Sequence, residues 1–365
     1  MIKNRQKDLF REITTGSQCQ RVKALRCIDM RLLTINHIRD LMRQYGLQAF
    51  LRDLTTRVKS DFSRWDEFAK SERHATHFEH GVIELMPCSD QAHYSFKFVN
   101  GHPGNVQKGL PSILSLGVLA EVETGMPILV AETGIMTALR TAAVTALSAR
   151  YLARRDSRRV GIIGCGAQAE FQLLALANEF PIEQVNYLDI DPHAAEKFAR
   201  NLSTQVWRMQ QKQNPESLLE GIDILVTATA SRKKVVLFRA DQIIPGMHIH
   251  ALGGDCPGKT ELPPQLIDRA TVVVEYLPQT RVEGEIQNRQ GATAPVELQS
   301  LVRQNHPGRQ HDSEITLFDA VGFAVEDFSA LMLLEELAVA HDIGESIQLL
   351  AIPPEPKNLY GYLID

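Results

Sequence analysis

The segment 159–178, RVGIIGCGAQAEFQLLALAN, constrains the chain more than any other. An apolar run meets Gly164-Cys165-Gly166-Ala167-Gln168-Ala169, and an Ala/Leu-rich helical pattern follows. This is a G-x-G-x-x-A turn between a buried strand and a helix. The first glycine permits the tight turn, and the second lets backbone approach a pyrophosphate. The small third residue allows close helix–strand packing. The helix that starts there offers free N–H groups and a positive dipole end to phosphates. Asp189 closes the next strand-like run, 25 residues after Gly164. An acid there accepts hydrogen bonds from adenosine ribose hydroxyls. Ile190, Asp191 and Pro192 supply no arginine for a 2′-phosphate, so NAD is favoured over NADP.

The pattern around this unit repeats. Strand-like runs recur at Val185–Asp189, Ile224–Thr227, Met247–Leu252 and Val272–Tyr276, with helical segments around 193–203 and 215–221. Alternating strands and helices predict a parallel, doubly wound sheet. The first part of the chain reads differently. Residues 1–35 are basic and weakly patterned, and they read as a loosely attached extension. From Ile38 to Phe62 apolar residues recur three or four apart, which predicts an amphipathic helix or a broken pair of helices. Residues 80–132 hold short apolar runs separated by Gly, Pro and Asn, a β-rich pattern with turns. Thr137 to Ala153 reads as a helix, and the polar stretch 154–159 as a domain boundary. A last helix, expected to be amphipathic, runs from Val321 to about Ala340 and is placed to return to the first domain. At 365 residues, two domains are the default. The expected fold class is α/β, a Rossmann-type doubly wound sheet plus an α+β domain.

Composition excludes several classes of partner. With 39 basic and 44 acidic residues the formal charge is −5. That balance argues against nucleic acid, whose phosphates need clustered Lys and Arg. No apolar run approaches a membrane span. The N-terminus is too charged for a secretory signal. The five cysteines, Cys19, Cys27, Cys88, Cys165 and Cys256, are scattered without a C-x-x-C. They read as reduced thiols of a cytoplasmic protein. His248 and His250 with Asp255 and Cys256 lack further ligands at metal spacing, so no metal site is expected.

Seven segments in order and spacing carry a family resemblance. They are GVIELMP (81–87), FKFVNGHP (96–103), TALRTAA (137–143), IGCGAQAEFQ (163–172), GGDCPGKTEL (253–262), VEYLPQTRVEGEIQ (274–287) and FDAVGFAVED (318–327). The chain resembles the ornithine cyclodeaminase/mu-crystallin family from about residue 50 to about 345. GGDCPGKTEL is similar to its amino-acid cyclodeaminase branch. The resemblance implies a substrate-binding and dimerisation domain at 1–135, completed by 321–365, and an NAD-binding domain at 136–320. It implies a homodimer formed through the first sheet. It also implies conversion of L-ornithine to L-proline and ammonia with catalytic NAD. L-lysine to L-pipecolate, imino-acid reduction and a binding protein of the mu-crystallin kind are the alternatives.

Such chemistry needs cations for a carboxylate, an acid/base group for amine protons and a dry, fixed geometry. Asp255, in the glycine turn after a strand, matches the family's acid/base residue. Arg73 and Lys97 match its carboxylate-binding pair; Arg grips bidentately and Lys adds a point charge. Lys97 lies between Phe96 and Phe98 in a strand, so its side chain points opposite to theirs. Glu84 matches a substrate-amine contact, and Arg140 a contact to the pyrophosphate or the substrate carboxylate. Ser112, Ala167, Gln168, Thr229, His250, Leu252 and Lys259 fall where the family contacts NAD, as do Gly164, Gly166 and Asp189. Ala320 also does, but it stands where relatives tend to carry Ser, so a hydroxyl contact is missing. Glu283 and Glu285 belong to the resemblance, with no role beyond capping.

Overall fold

The computed structural model describes residues 30–230, 234–289 and 294–364. Among them the strands form two sheets of eight. The first holds β1 (Met30–Leu33), β2 (Ala69–Lys70), β3 (His74–Phe78), β4 (Gly81–Ser89), β5 (His93–Gly101), β6 (Ser115–Glu121), β7 (Pro127–Glu132) and β16 (Glu345–Ile347). Its order is β16-β1-β7-β6-β5-β4, with β2 and β3 both paired to β4. The second holds β8 (Arg159–Ile163), β9 (Gln184–Leu188), β10 (Arg208–Gln211), β11 (Ile224–Thr227), β12 (His248–Ala251), β13 (Thr271–Val274), β14 (Val296–Glu297) and β15 (Thr316–Asp319). It is parallel throughout, in the order β10-β9-β8-β11-β12-β15-β13-β14. The strand order reverses at β8, so the crevice beyond the carboxyl ends of β8 and β11 is the place for a ligand.

The helical pattern from Ile38 is a broken pair, Ile35–Tyr45 and Leu47–Ser63, divided at Gly46 with φ 94°. Only glycine takes that conformation without strain. The Gly134–Leu152 helix is buried on almost every side. It packs against the Leu47–Ser63 and Ala169–Ala177 helices and against β12 and β15. A single apolar core therefore runs from Phe50, Leu119 and Leu129 of the first sheet's layer to Ile162, Val226 and Phe318 of the second.

Two expectations need correction. Residues 30–33 are not part of a loose extension. Met30 and Leu33 are buried, and β1 pairs with β7 on one side and β16 on the other. Strand partners that distant leave no local pattern in the sequence. The rest of that expectation, residues 1–29, lies outside the described residues. The helix expected to be last is Ala324–Ala340, with a short helix, Leu359–Ile364, after it; it is not amphipathic, since from Ala324 to Leu331 every residue is buried. It packs across β4, β5 and β6. Ser329 donates to Asp61 at 2.6 Å, and Phe328 meets Phe68 edge to face.

Candidate functional site

The cofactor end is built by four strands that stop at the same level. Each hands one more hydrogen bond to the loop beyond it. Gly164 N–H donates to Leu188 O, Ala228 N–H to Ile163 O, Leu252 N–H to Thr227 O and Ala320 N–H to Ala251 O. Gly164 sits at φ 98°, and a Cβ there would lie 2.5 Å from the Ala228 carbonyl oxygen. Gly166 has nothing within 4 Å of where its Cβ would be, so its face toward the crevice is open. Ala167 and Gln168 lead into the Ala169–Ala177 helix, whose first N–H groups have no partner within the helix. Lys197 Nζ donates to Gly166 O at 2.9 Å and fixes the loop from behind. The Asp189 carboxylate accepts the Cys165 N–H at 2.6 Å and the Asp191 N–H at 2.9 Å, which places it beside the glycine turn. These residues fit a dinucleotide: an open glycine, a helix N-terminus and a fixed ribose-side acid.

Three cations converge next to this crevice: Lys97 and Arg140 are buried, and the Arg73 side chain is 9% exposed. Lys97 from β5 pairs with Asp327 at 2.8 Å. Arg140 pairs with Glu326 and reaches Asp327 at 3.2 Å. Arg73 pairs with Glu84 at 3.2 Å and Glu283 at 3.1 Å, and donates to the carbonyls of Val321 and Gly322 at 2.6 and 2.9 Å. Burial pushes the Lys97 ammonium down to about 8, and Arg140 and Arg73 push the same way against Asp327. Burial raises Glu283 to about 7, against the pull of Arg73. Glu326 is raised by burial too, although Arg140 opposes it.

Asp255 stands at the rim, its side chain 47% exposed and paired with Lys259 at 2.9 Å. Its charge is felt at both Arg73 and Glu283. The structure thus brings Arg73, Glu84, Lys97, Arg140 and Asp255 into one neighbourhood. Ser112 is half-buried in the loop before β6, and its carbonyl accepts the His102 N–H at 2.8 Å. Thr229 donates its N–H and its hydroxyl to Glu261. Ala320 is buried just beyond the end of β15.

The His250 side chain lies away from the crevice. It is enclosed, with Nε2 at 2.8 Å from the Thr145 hydroxyl and its ring stacked on Phe318. Burial holds it neutral, well below the ordinary histidine value. His248 sits likewise against Thr316 and is pushed down to about 3.

Sequence reasoning passed over Glu326 and Asp327 and gave Glu283 no role beyond capping. The signal was present for the first two. Acids inside the apolar run AVEDFSALMLL must be buried, and buried acids need cations. Glu283 ends a short helix that also carries Gln279. Nothing local marks it as facing Arg73.

A doubly wound sheet with a phosphate turn, opening onto buried cations and carboxyls, defines a dinucleotide-dependent enzyme acting on a small charged substrate. Comparison with known proteins narrows this. Residues 36–342 match the model of the ornithine cyclodeaminase/mu-crystallin family. An ornithine cyclodeaminase of Agrobacterium fabrum is 42% identical over 332 residues, 91% of this chain and 94% of that protein. A lysine cyclodeaminase structure superposes with a TM-score of 0.86 at 28% identity, covering 91% of this chain and 99% of that one. An archaeal alanine dehydrogenase dimer with bound NAD gives a TM-score of 0.80 at 31% identity, covering 88% and 100%. The chain belongs to the ornithine cyclodeaminase/mu-crystallin family.

Proposed function

We propose that this chain is an NAD-dependent ornithine cyclodeaminase, converting L-ornithine to L-proline and ammonia. One observation carries the reading: buried Lys97 and Arg140 and the half-buried Arg73 gather beside a dinucleotide crevice, with Asp255 and Glu283 next to them. Three such cations suit a carboxylate. Two separate carboxyls suit the two amines of a diamino acid, each of which must lose a proton in turn. The similarity to the Agrobacterium enzyme over 94% of its length supports the substrate.

Bound NAD supplies a reversible two-electron oxidation at the substrate's Cα. The chain's own residues do the rest. Gly164, Gly166, Ala167 and Gln168 would hold the pyrophosphate, and Asp189 the adenosine ribose. Thr229, Leu252, Lys259, Ser112 and Ala320 would line the nicotinamide side. Arg73, Lys97 and Arg140 fix the carboxylate. Asp255 takes the α-ammonium proton at a carboxylate oxygen, leaving the amine neutral. Glu283, raised to about 7, is suited to exchange a proton with the δ-amine near neutral pH. Glu84 holds Arg73 in place and faces the same amines.

The second sheet and its helices, 136–320, would carry the cofactor. The first sheet with 321–365 would carry the substrate and form a homodimer. Its outer face supports this. Leu85, Phe98 and Leu116 lie opposite one another across β4, β5 and β6, and Leu85 and Leu116 are 44% and 43% exposed. No helix among the described residues is long and apolar enough to cross a membrane. The free thiols of Cys88, Cys165 and Cys256 suit the cytoplasm.

The test is to incubate the protein with L-ornithine and a trace of NAD⁺. Proline and ammonia far exceeding the NAD⁺ supplied, without net NADH, is the expected result. Stoichiometric NADH would make it a dehydrogenase, and no reaction would turn the reading toward a binding protein. L-lysine in parallel tests chain length.

A further inference from the structure

Behind the Asp255 turn lie three buried carboxyls arranged as a staircase. Asp319, at the end of β15, accepts the N–H groups of Glu285 and Ile286, both at 2.9 Å. Glu285 accepts those of Glu261 and Leu262 at 2.7 and 3.0 Å. Glu261 accepts the N–H of Thr229 at 2.8 Å together with the Thr229 hydroxyl. The chain of contacts runs from the end of β15 to the loop after β11. Neither Asp319 nor Glu285 is ion-paired among the described residues. Three carboxyls buried this way are costly in solvation, and apolar side chains would have filled the space more cheaply. What a carboxyl adds is two oxygens, each able to accept an N–H group in a fixed direction.

Each step also presses on a bare glycine Cα. A Cβ on Gly253 would overlap the Glu261 carboxyl. One on Gly254 would lie 2.6 Å from Glu285 Oε1, and one on Gly284 2.5 Å from Asp319 Oδ2. Gly253 and Gly254 precede Asp255, and Gly284 follows Glu283. The staircase therefore packs against the residues adjoining both candidate acid/base groups, and its last step holds Thr229 at the crevice.

We infer that Glu285 is a positioning residue: its carboxyl sets Asp255 and the Thr229 edge of the crevice in one register. The inference rests on the reading of Asp255 as the acid/base group. Glu285 touches neither substrate nor cofactor, so its loss alters placement and leaves the binding groups present. A displacement of about 1 Å in a reacting group costs up to about 10²-fold in rate.

The experiment uses the full chain with NAD. In Glu285→Gln the side-chain volume stays, but one acceptor becomes an N–H donor facing a backbone N–H. Its kcat should fall about 10- to 100-fold, while the KM for ornithine and the Kd for NAD stay within about threefold. Gly254→Ala, which pushes the turn off Glu285 from the other side, should show the same kcat-selective loss. Should Glu285→Gln fail to fold, the alanine variant decides alone. A wild-type kcat in either folded variant overturns the inference, as does a loss found entirely in KM or NAD affinity. Asp255→Asn separates the two ideas. If it is inactive while Glu285→Gln turns over normally, only the positioning role fails. If Asp255→Asn itself turns over normally, the acid/base reading fails with it.

Discussion

Lys97 offers the sharpest test of the carboxylate site. Its ammonium is buried with Asp327 as its ion-pair partner, and Arg140 and Arg73 repel it. Titrating near 8, it is about nine-tenths charged at pH 7 and about one-tenth charged at pH 9. A ligand carboxylate needs the charged form, so affinity should fall about tenfold across that interval. The assay is competitive inhibition by L-proline, whose carboxylate and amine keep their charges over the range. Glu283, near 7, and Glu275 and Glu285, near 8, titrate close by. The control is therefore Lys97→Met, which retains the side chain's bulk. It leaves Asp327 with Arg140 at 3.2 Å. In that variant a charge-assisted hydrogen bond is lost, so inhibition at pH 7 should weaken about 10- to 100-fold. Its dependence between pH 7 and 9 should be flat. An inhibition constant already flat in the wild type, or an equal tenfold fall in the Met variant, would refute the assignment of Lys97.

Asp189→Ala should weaken NAD binding measured by fluorescence titration without altering the fold seen by circular dichroism; unchanged affinity would detach the acid from the ribose. Gly253→Ala forces a Cβ into the Glu261 carboxyl, and overpacking of that kind costs about 1–3 kcal/mol. Urea unfolding should show that loss as a lower midpoint at unchanged slope. Burial holds the folded values of Asp319 and Glu285 up at about 7 and about 8, so the ionised forms favour the unfolded chain. Stability is accordingly full below the ordinary carboxyl range and lost as pH rises through 7 and 8. His248, held down to about 3, works oppositely and removes stability as pH falls below its ordinary value. Thermal midpoints should thus drop between pH 6.5 and 8.5, and drop less in Asp319→Asn. Leu116→Asp puts a charge in the middle of the outer apolar row. Light scattering should report a smaller particle than the wild type, and an unchanged mass would refute this face as the proposed dimer contact.

The dinucleotide half was legible because its determinants are local. The glycine turn, the helix after it and Asp189 lie within about thirty residues, and each strand of β8, β9 and β11 is a short apolar run. What escaped reading was assembled from afar. β1 pairs with a strand about a hundred residues on and with another near the C-terminus. Two-residue strands such as β14 carry no periodicity at all. Lys97, Arg140 and Asp255 stood out through motif context. Asp327 and Glu326, the partners of Lys97 and Arg140, and Glu283, the partner of Arg73, did not, because a counter-ion is chosen by tertiary proximity. The staircase acids were hidden for the same reason: Glu261, Glu285 and Asp319 cap backbone groups far along the chain. Sequence patterns mark a cap only when it lies within its own turn.

Strand β5 shows how one alternation serves two ends. Ser95, Lys97 and Val99 are buried, while Tyr94, Phe96 and Phe98 lie on the other, more exposed face. In an isolated half-exposed sheet the expected arrangement is the reverse, with aromatics inward and lysine in water. The inversion is stable only if both faces find partners. Inside, the Ala324–Ala340 helix brings Asp327 to Lys97. Outside, the row through Leu85, Phe98 and Leu116 needs an apolar surface, which a second copy of the sheet supplies in the proposed dimer. A slip of one residue would put Lys97 outside and a phenylalanine against Asp327. The pairing of β5 to β4 and β6 over most of its length excludes that slip. The proposed substrate cation and the proposed dimer face are therefore not independent features. The same register fixes both, so a monomerising change on the outer face should loosen Lys97 only through that register, raising KM for ornithine before it lowers kcat.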